Sequence, residues 1–390
     1  MRFEFATAQR VIFGPGASRQ AGALARQAGQ RALVVTGRDP SRAQFLLDSL
    51  RQNGVGAVVF PVAGEPGVDT VLQGQTLAEK EDCDLVVSLG GGSALDTGKA
   101  IAVMLTNPGD VLDYLEVIGG GKDLAEPSAP FFALPTTAGT GSEATRNAVF
   151  ASPEHRQKVS LRAPTMLPKV AIVDPELTWG VPAAVTASTG MDALTQVIEP
   201  YVCIRPNPLT DALCAEGMRR AARSLRLAFE DGRQAAARED MAVASHFGGM
   251  ALSNAGLGAV HGFAGAIGGM FNAPHGAICA ALLPHVMEAN LRALRQREPR
   301  HESLRRYEEV GRLVTGRPAA SADDGVGWVR QLVSDLSIPP LASYGMTEAD
   351  MAEIIEKGSK AGSMKANPIV LTTEEQREIL GRAIQRSRQA

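Results

Sequence analysis

The chain has 390 residues, 45% of them hydrophobic and 21% charged, with a formal net charge of −3. That composition suits an ordinary globular protein and provides no basic footprint for nucleic acid or for an anionic membrane. The N-terminal stretch carries charges throughout, no apolar run is long enough to span a bilayer, and Cys83, Cys203, Cys214 and Cys279 include no C-x-x-C pair. The expectation is a cytoplasmic protein with no leader, membrane span or disulfide framework.

In chain order, Val11–Phe13 is a strand candidate ending at the turn Gly14-Pro15-Gly16. Ala32–Val35, Ala57–Phe60 and Leu85–Leu89 are short continuous apolar runs, the pattern of strands covered on both faces. Ala17–Ala28, Ser41–Asn53 and Asp69–Glu81 read as helices between them, and Phe131–Leu134 and Val170–Val173 as further strands with loop-like neighbours. This rhythm predicts a parallel sheet with helices on both sides. From about Ala183 the texture changes to Ala-, Leu-, Arg- and Glu-rich periodic segments: Asp211–Ala228, Ala235–Met250, His301–Leu313, Ala322–Leu336 and Thr347–Gly358. The second half therefore reads as all-helical. The Arg-rich stretch Arg292–Arg306 reads as a solvated helix pair.

Two loops in the first half suit a ligand. Ser88–Ala100 (SLGGGSALDTGKA) follows a strand and opens a helix. Gly90, Gly91 and Gly92 have no β-carbon, so a diphosphate can approach the backbone amides. Ser93 adds a hydroxyl where the helix dipole favours anions. The spacing is not G-x-G-x-x-G, and a plain tight turn also uses glycines in this way. Within Pro135–Thr145 (PTTAGTGSEAT), Thr136, Thr137, Thr140 and Ser142 offer uncharged donors and acceptors suited to ribose, amide and phosphate groups. Asp96 and Lys99 can cap and pair locally.

The second half carries a different chemistry. Gly190–Val202 (GMDALTQVIEPYV) reads as the start of a helix with Ser188 or Thr189 as N-cap. Asp192 and Gln196 then lie one turn apart on one face and can grip a cation together. A first-turn Asp that only complements the dipole is the plainer alternative. In Val260–Gly276, His261 and His275 would be separated by roughly 21 Å along a continuous helix. Imidazoles sharing one metal each lie ~2.0–2.1 Å from it. Gly268, Gly269 and Pro274 can break the helix and bring the two together. Asp192, Gln196, His261 and His275 would form a mixed oxygen and nitrogen set suited to Fe2+ or Zn2+. His155, His246 and His285 read as surface or packing residues.

With these motifs the chain resembles the iron-containing (group III) alcohol dehydrogenases, from VIFGPGA at Val11–Ala17 to NPIVLTTEE at Asn367–Glu375. The resemblance implies a Rossmann-like α/β domain over residues 1–178 that binds NADP or NAD. It implies a helical domain over 179–390, in the layout shared with dehydroquinate synthase, that holds one divalent metal. The implied reaction is hydride transfer between nicotinamide and a small alcohol or aldehyde, with Asp192, His261, His275 and Lys158 catalytic, in a homodimer with no nucleic-acid or membrane partner. Asp96 and Lys158 would lie near the nicotinamide ribose, and Asn147 and Phe150 would shape the substrate cleft. Many NAD-preferring relatives carry an Asp where Gly37 stands. Gly37, with Arg38 and Arg42 following, suits a 2′-phosphate, while Asp39 could restore a 2′-hydroxyl contact. Two positions depart from the family: Gln196 replaces a metal-binding His, and Gly265 replaces a further active-site His. Three other readings stay open. One is a metal-independent reductase related to maleylacetate reductases, and one is a silent nucleotide-binding protein. The third is a dehydroquinate synthase-like lyase, for which the segments around Asp192 and His261 lack the basic cluster that holds a phosphate leaving group.

Overall fold

The apolar runs of the first half pair into one six-stranded parallel sheet; Ala32–Val35 and Leu85–Leu89 are buried on both faces as expected, whereas Ala57–Phe60 lies at the sheet edge and is exposed or half-exposed. The computed structural model describes residues 2–115, 118–152 and 154–385. It divides into two compact units: Ala6–Thr137 with Gly141–Trp179, and the residues from Gly180 onward with Ala138–Thr140 and those before Ala6.

In the α/β unit the elements are β1 (Val11–Phe13), α1 (Ala21–Arg26), β2 (Arg31–Thr36), α2 (Gln44–Gln52), β3 (Gly56–Pro61), α3 (Val68–Lys80), β4 (Leu85–Gly90) and α4 (Gly92–Met104). There follow α5 (Val111–Tyr114), β5 (Phe131–Pro135), β6 (Asn147–Ser152), β7 (Gln157–Arg162) and β8 (Val170–Val173). The sheet order is β1-β8-β5-β4-β2-β3. From the centre, β2 continues to β3 on one side and β4 to β5 on the other, so the strand order reverses between β2 and β4. Open α/β sheets bind ligands in the crevice beyond the carboxyl ends of such strands.

Two expectations need correction here. The helices expected at Ala17–Ala28 and Ser41–Asn53 are each split, a 3-10 turn (Ala17–Gln20, Pro40–Ala43) preceding the α-helix. The segment between β5 and β8 is not loop alone. β6 and β7 form an antiparallel hairpin in which Ala148, Phe150 and Ser152 turn inward while Asn147, Val149 and Ala151 are half-exposed. Its short alternation, with polar residues mixed in, hid it among the loops.

The second unit is helical throughout its regular structure. Its elements are α6 (Ala183–Val202), α7 (Pro208–Glu230), α8 (Ala235–Asn254), α9 (Ala259–Met270), α10 (His275–Arg297), α11 (Glu302–Thr315), α12 (Ala322–Asp335), α13 (Met351–Lys360), α14 (Gly362–Lys365) and α15 (Thr373–Ile384). From Thr186 to its end α6 is buried on every face except at Thr189, as a central core helix must be. Two glycines let its neighbours approach. A β-carbon on Gly190 would lie 2.1 Å from a methyl of Leu225 in α7, and one on Gly276 would lie 2.0 Å from the Ser188 carbonyl oxygen. The helix starts seven residues before Gly190, at Ala183, so Ser188 and Thr189 are not its N-cap. Their hydroxyls instead donate back to the Val185 carbonyl at 3.1 and 2.8 Å. Among the described residues no helix is long and apolar enough to cross a membrane.

His285, on α10, is buried, and burial together with Arg330 and Arg382 pushes its pKa from the ordinary 6.5 down to about 4. Between those values the unfolded chain holds the extra proton. The neutral imidazole's contribution is therefore complete above pH ~6.5 and is lost as pH falls through ~4, about 3 kcal/mol in all. Thermal midpoints of parent and His285→Asn, measured from pH 7.5 to 4.5, should show a shallower acid decline in the variant. Parallel declines would contradict this.

Candidate active site

The α/β unit brings the two ligand-type loops side by side. The Thr136 N–H donates to the Gly90 carbonyl at 2.9 Å, and a β-carbon on Gly90 would lie 3.4 Å from the Gly37 nitrogen. The end of β2, with Gly37, Arg38 and Asp39, thus borders the turn Gly90–Ser93 that opens α4. Gly91, Gly92 and Ser93 are half-exposed at the N-terminus of α4, where amide N–H groups lack partners within the helix. The Asp39 carboxylate caps the following 3-10 turn, accepting from the Ser41 N–H at 3.0 Å and its hydroxyl at 2.6 Å. These hydrogen bonds hold its pKa below the usual carboxylate value. Arg38 and Arg42 are exposed.

Asp96 and Lys99 do more than pair locally. Lys99 is fully buried, 3.9 Å from Asp96, and its Nζ donates to the Ser142 carbonyl (2.7 Å), the Thr145 hydroxyl (2.8 Å) and the Asn147 carbonyl (2.8 Å). Burial pushes this ammonium down to about 8, against the pull of Asp96 and Glu143. Asp96 accepts from the Ser142 hydroxyl at 2.5 Å and from the Val149 N–H at 3.0 Å. Burial raises its carboxyl despite Lys99 and Ser142. Thr136, Thr137 and Thr140 are half-exposed, whereas Ser142 is buried and already gives its hydroxyl proton to Asp96. Lys158, on β7, forms an ion pair with Glu65 at 2.9 Å. Phe150 is fully buried in the core of this unit and cannot line a cleft.

In the helical unit, Asp192 lies mid-way along α6, His261 in the first turn of α9 and His275 at the first residue of α10. The break that joins the histidines is Phe271–Pro274; Gly268 and Gly269 remain inside α9. The imidazole centroids are 5.4 Å apart. Asp192 Oδ1 is 3.3 Å from His261 Nε2 and 3.8 Å from His275 Nε2, and it is buried without a hydrogen-bond partner. On its other side the His261 ring meets Glu199, Nδ1 to Oε2 at 2.6 Å, while Glu199 Oε1 accepts the Val260 N–H at 2.7 Å. A proton on Nδ1 shared with Glu199 turns the Nε2 lone pair toward Asp192. With Nε2 bare, two electron pairs would face each other across 3.3 Å, so that position favours a positive charge, either a proton on the ring or a cation.

The electrostatics agree. Burial alone would raise the Asp192 carboxyl, yet His275 and His261 hold it below its ordinary value. Burial alone would lower His261, yet Cys279, Glu199 and Asp192 raise it well above 6.5. Asp192, His261, His275 and Cys279 place one donor atom each within 4.8 Å of one another. Gln196 is buried beside them on α6, and its amide nitrogen donates to the Gly139 carbonyl at 2.8 Å. His155 is exposed, while His246 and His285 are buried away from this group. Sequence reasoning missed Glu199 and Cys279. Each had a signal: Glu199 lies two turns after Asp192, and Cys279 one turn after His275.

Residues 8–175 match the sequence model of a family described as iron-containing alcohol dehydrogenase, and residues 186–384 that of the Fe-containing alcohol dehydrogenase family, C-terminal. The chain belongs to the iron-containing alcohol dehydrogenases. It is an oxidoreductase of that family. It is 36% identical over 375 residues to the 1,3-propanediol dehydrogenase of Klebsiella pneumoniae, covering 94% of this chain and 95% of that one. It is 33% identical over 380 residues to the NAD-dependent methanol dehydrogenase of Bacillus methanolicus, covering 96% and 97%. A solved 1,3-propanediol oxidoreductase superposes with a TM-score of 0.91 at 35% identity, over 98% of this chain and all 100% of that one.

Within this iron-containing alcohol dehydrogenase, a β-carbon on Gly265 would meet nothing within 4 Å, so the space beside α9 is open one turn beyond His261. Glu199 orients His261, and where an imidazole binds a metal the loss of such a partner costs about 10–100-fold in metal affinity. Glu199→Gln should fold and bind Zn2+ correspondingly more weakly in a chelator competition. Unchanged affinity would remove Glu199 from the site.

Proposed function

We propose that the chain is a metal-dependent NAD(P) alcohol dehydrogenase, also active as an aldehyde reductase, on small alcohols and aldehydes. One observation carries this reading: the buried, unpartnered Asp192 Oδ1 facing His261 Nε2 and His275 Nε2. These donors fit Fe2+ or Zn2+ in number and kind. A divalent cation held there supplies a Lewis acid able to lower the pKa of bound water from 15.7 to about 7, roughly 12 kcal/mol of help in removing the alcohol proton.

The protein's own groups do the rest. Asp192 contributes the negative charge that retains a cation, and Glu199 keeps the His261 Nε2 lone pair on the metal side. The amides of Gly91–Ser93 at the start of α4 receive a diphosphate, beside the hydroxyls of Thr136 and Thr137. Asp96 and Lys158 flank the ribose. Asp39 is engaged with Ser41, and Gly37 has no side chain to reject a 2′-phosphate. Arg38 and Arg42 are available to bind one, which favours NADP over NAD.

Two experiments test these roles. A side chain at Gly91 starts 3.4 Å from Thr137, an ordinary contact, so Gly91→Val should fold yet lose dinucleotide affinity. Parent protein should use NADPH at least as well as NADH by kcat/KM, and Gly37→Asp should shift the ratio toward NADH. A fully retained affinity in Gly91→Val would misplace the diphosphate. For the metal, chelator should strip activity, His261→Ala should lose most of it, and Gln196→His should bind metal more tightly with turnover kept. Full turnover in demonstrably metal-free parent would sink the Lewis-acid reading.

A further inference from the structure

The metal reading leaves one position unexplained. The helix turn that offers Asp192 offers an amide next, and the nitrogen of that amide is held by Gly139. The cluster nevertheless has a fourth donor, supplied by a different helix. Cys279 is buried on α10 one turn after His275, with Sγ 3.7 Å from His275 Nε2 and 3.9 Å from His261 Nε2. We propose that Cys279 binds the metal as a thiolate, completing a set with Asp192, His261 and His275. This inference rests on the proposal that the site holds a metal.

The distances carry the argument. Nitrogen and oxygen donors about 2.0–2.1 Å from a tetrahedral ion lie about 3.3 Å from each other, and a sulfur at about 2.3 Å lies about 3.5 Å from each nitrogen. The observed oxygen–nitrogen separations are 3.3 and 3.8 Å, and the sulfur–nitrogen separations 3.7 and 3.9 Å. All four donor atoms lie within 4.8 Å of one another, so closing onto one ion needs shifts of up to about an ångström. The lone thiol is not the only sign of a ligand. Asp192 Oδ1, on a side chain only 3% exposed, points into the same group with no hydrogen-bond partner.

Chemistry follows from the sulfur. On binding, the thiol proton passes to solvent and the sulfur lone pair forms the metal bond. The ligand set then carries two negative charges, from Asp192 and Cys279. Thiolate ligation favours Zn2+ over harder ions. A cation held by these four residues would still have room to polarise a substrate oxygen, as catalytic zinc permits by taking a fifth ligand, and the space beside Gly265 is open on the His261 face of α9.

The test uses the full chain, stripped with chelator and reloaded with Co2+. The parent should bind one Co2+ and show the sulfur-to-cobalt charge-transfer band of a thiolate ligand in the near ultraviolet. Cys279→Ser should lose that band and bind Zn2+ more weakly by about tenfold or more, at least the effect of losing a supporting residue. In the double variant Cys279→Ser/Gln196→His, affinity should recover while the band stays absent. One Co2+ bound by the parent without the band, or a band that persists in Cys279→Ser, overturns the role of Cys279 and leaves the metal site standing. No Co2+ bound by the parent overturns both. The parent spectrum is decisive even if a variant does not fold.

Discussion

Asp192 sets a carboxylate, 2% exposed, in the middle of a helix buried on nearly all sides. An unpaired charge at such a depth costs several kcal/mol, more than most single core contacts return. The surrounding helices are arranged to avoid that state. Both histidines come from helix beginnings, His261 in the first turn of α9 and His275 as the first residue of α10. The imidazoles therefore meet at the carboxylate, while the first amides of α9 are given to Glu199 and Asn367. Glu199 adds a second buried negative group behind His261, so the cluster favours positive charge, as a proton on the ring or as a metal ion.

That geometry depends on how closely three helices pack. α10 can carry His275 up to Asp192 because Gly276 lies almost against the Ser188 carbonyl, and its missing β-carbon would also sit 3.2 Å from Asp192 Cβ. Gly190 permits the same closeness on the α7 side. Closely packed cores accept almost no added volume at such points. The ligand geometry and the glycine pattern of this unit are thus one constraint.

The sequence made some of this legible and hid the rest. Asp192, His261 and His275 could be read because their spacings are unusual for packing alone, and because a continuous helix could not join the histidines. Glu199 and Cys279 were hidden because their meaning lies in contacts across 62 and 18 residues of chain with His261. A Glu inside a helix motif and a buried Cys are each common without a metal. Gln196 was read as a weak ligand from its position alone; the fold adds that its amide nitrogen donates to the Gly139 carbonyl, which leaves the oxygen as the atom able to meet a cation. The expected N-cap at Ser188 or Thr189 failed for a related reason. In a buried helix a hydroxyl bonds back to a carbonyl one turn earlier, so it no longer marks a start.

In the α/β unit the strands of the sheet were plain, since continuous apolar runs have few alternatives, while the β6–β7 hairpin alternates and was not. The more instructive case is Lys99. A Lys three residues after an Asp on a helix suggests a local ion pair. Here Lys99 is fully buried and Asp96 partly so, and both converge on Ser142, which donates its hydroxyl to Asp96 and accepts from Lys99 at 3.0 Å. A buried ammonium is tolerated only if its protons are satisfied, and Lys99 satisfies them on the Ser142–Asn147 segment. Asp96 meanwhile secures β6 through the Val149 N–H. The helix whose N-terminus is the proposed diphosphate site thus also fixes, three turns or less from that end, the shape of the neighbouring hydroxyl-rich loop. A substitution at Lys99 would therefore disturb the loop's backbone rather than remove a ligand contact, and the half-exposed hydroxyls that this unit sets beside the start of α4 are those of Thr136 and Thr137.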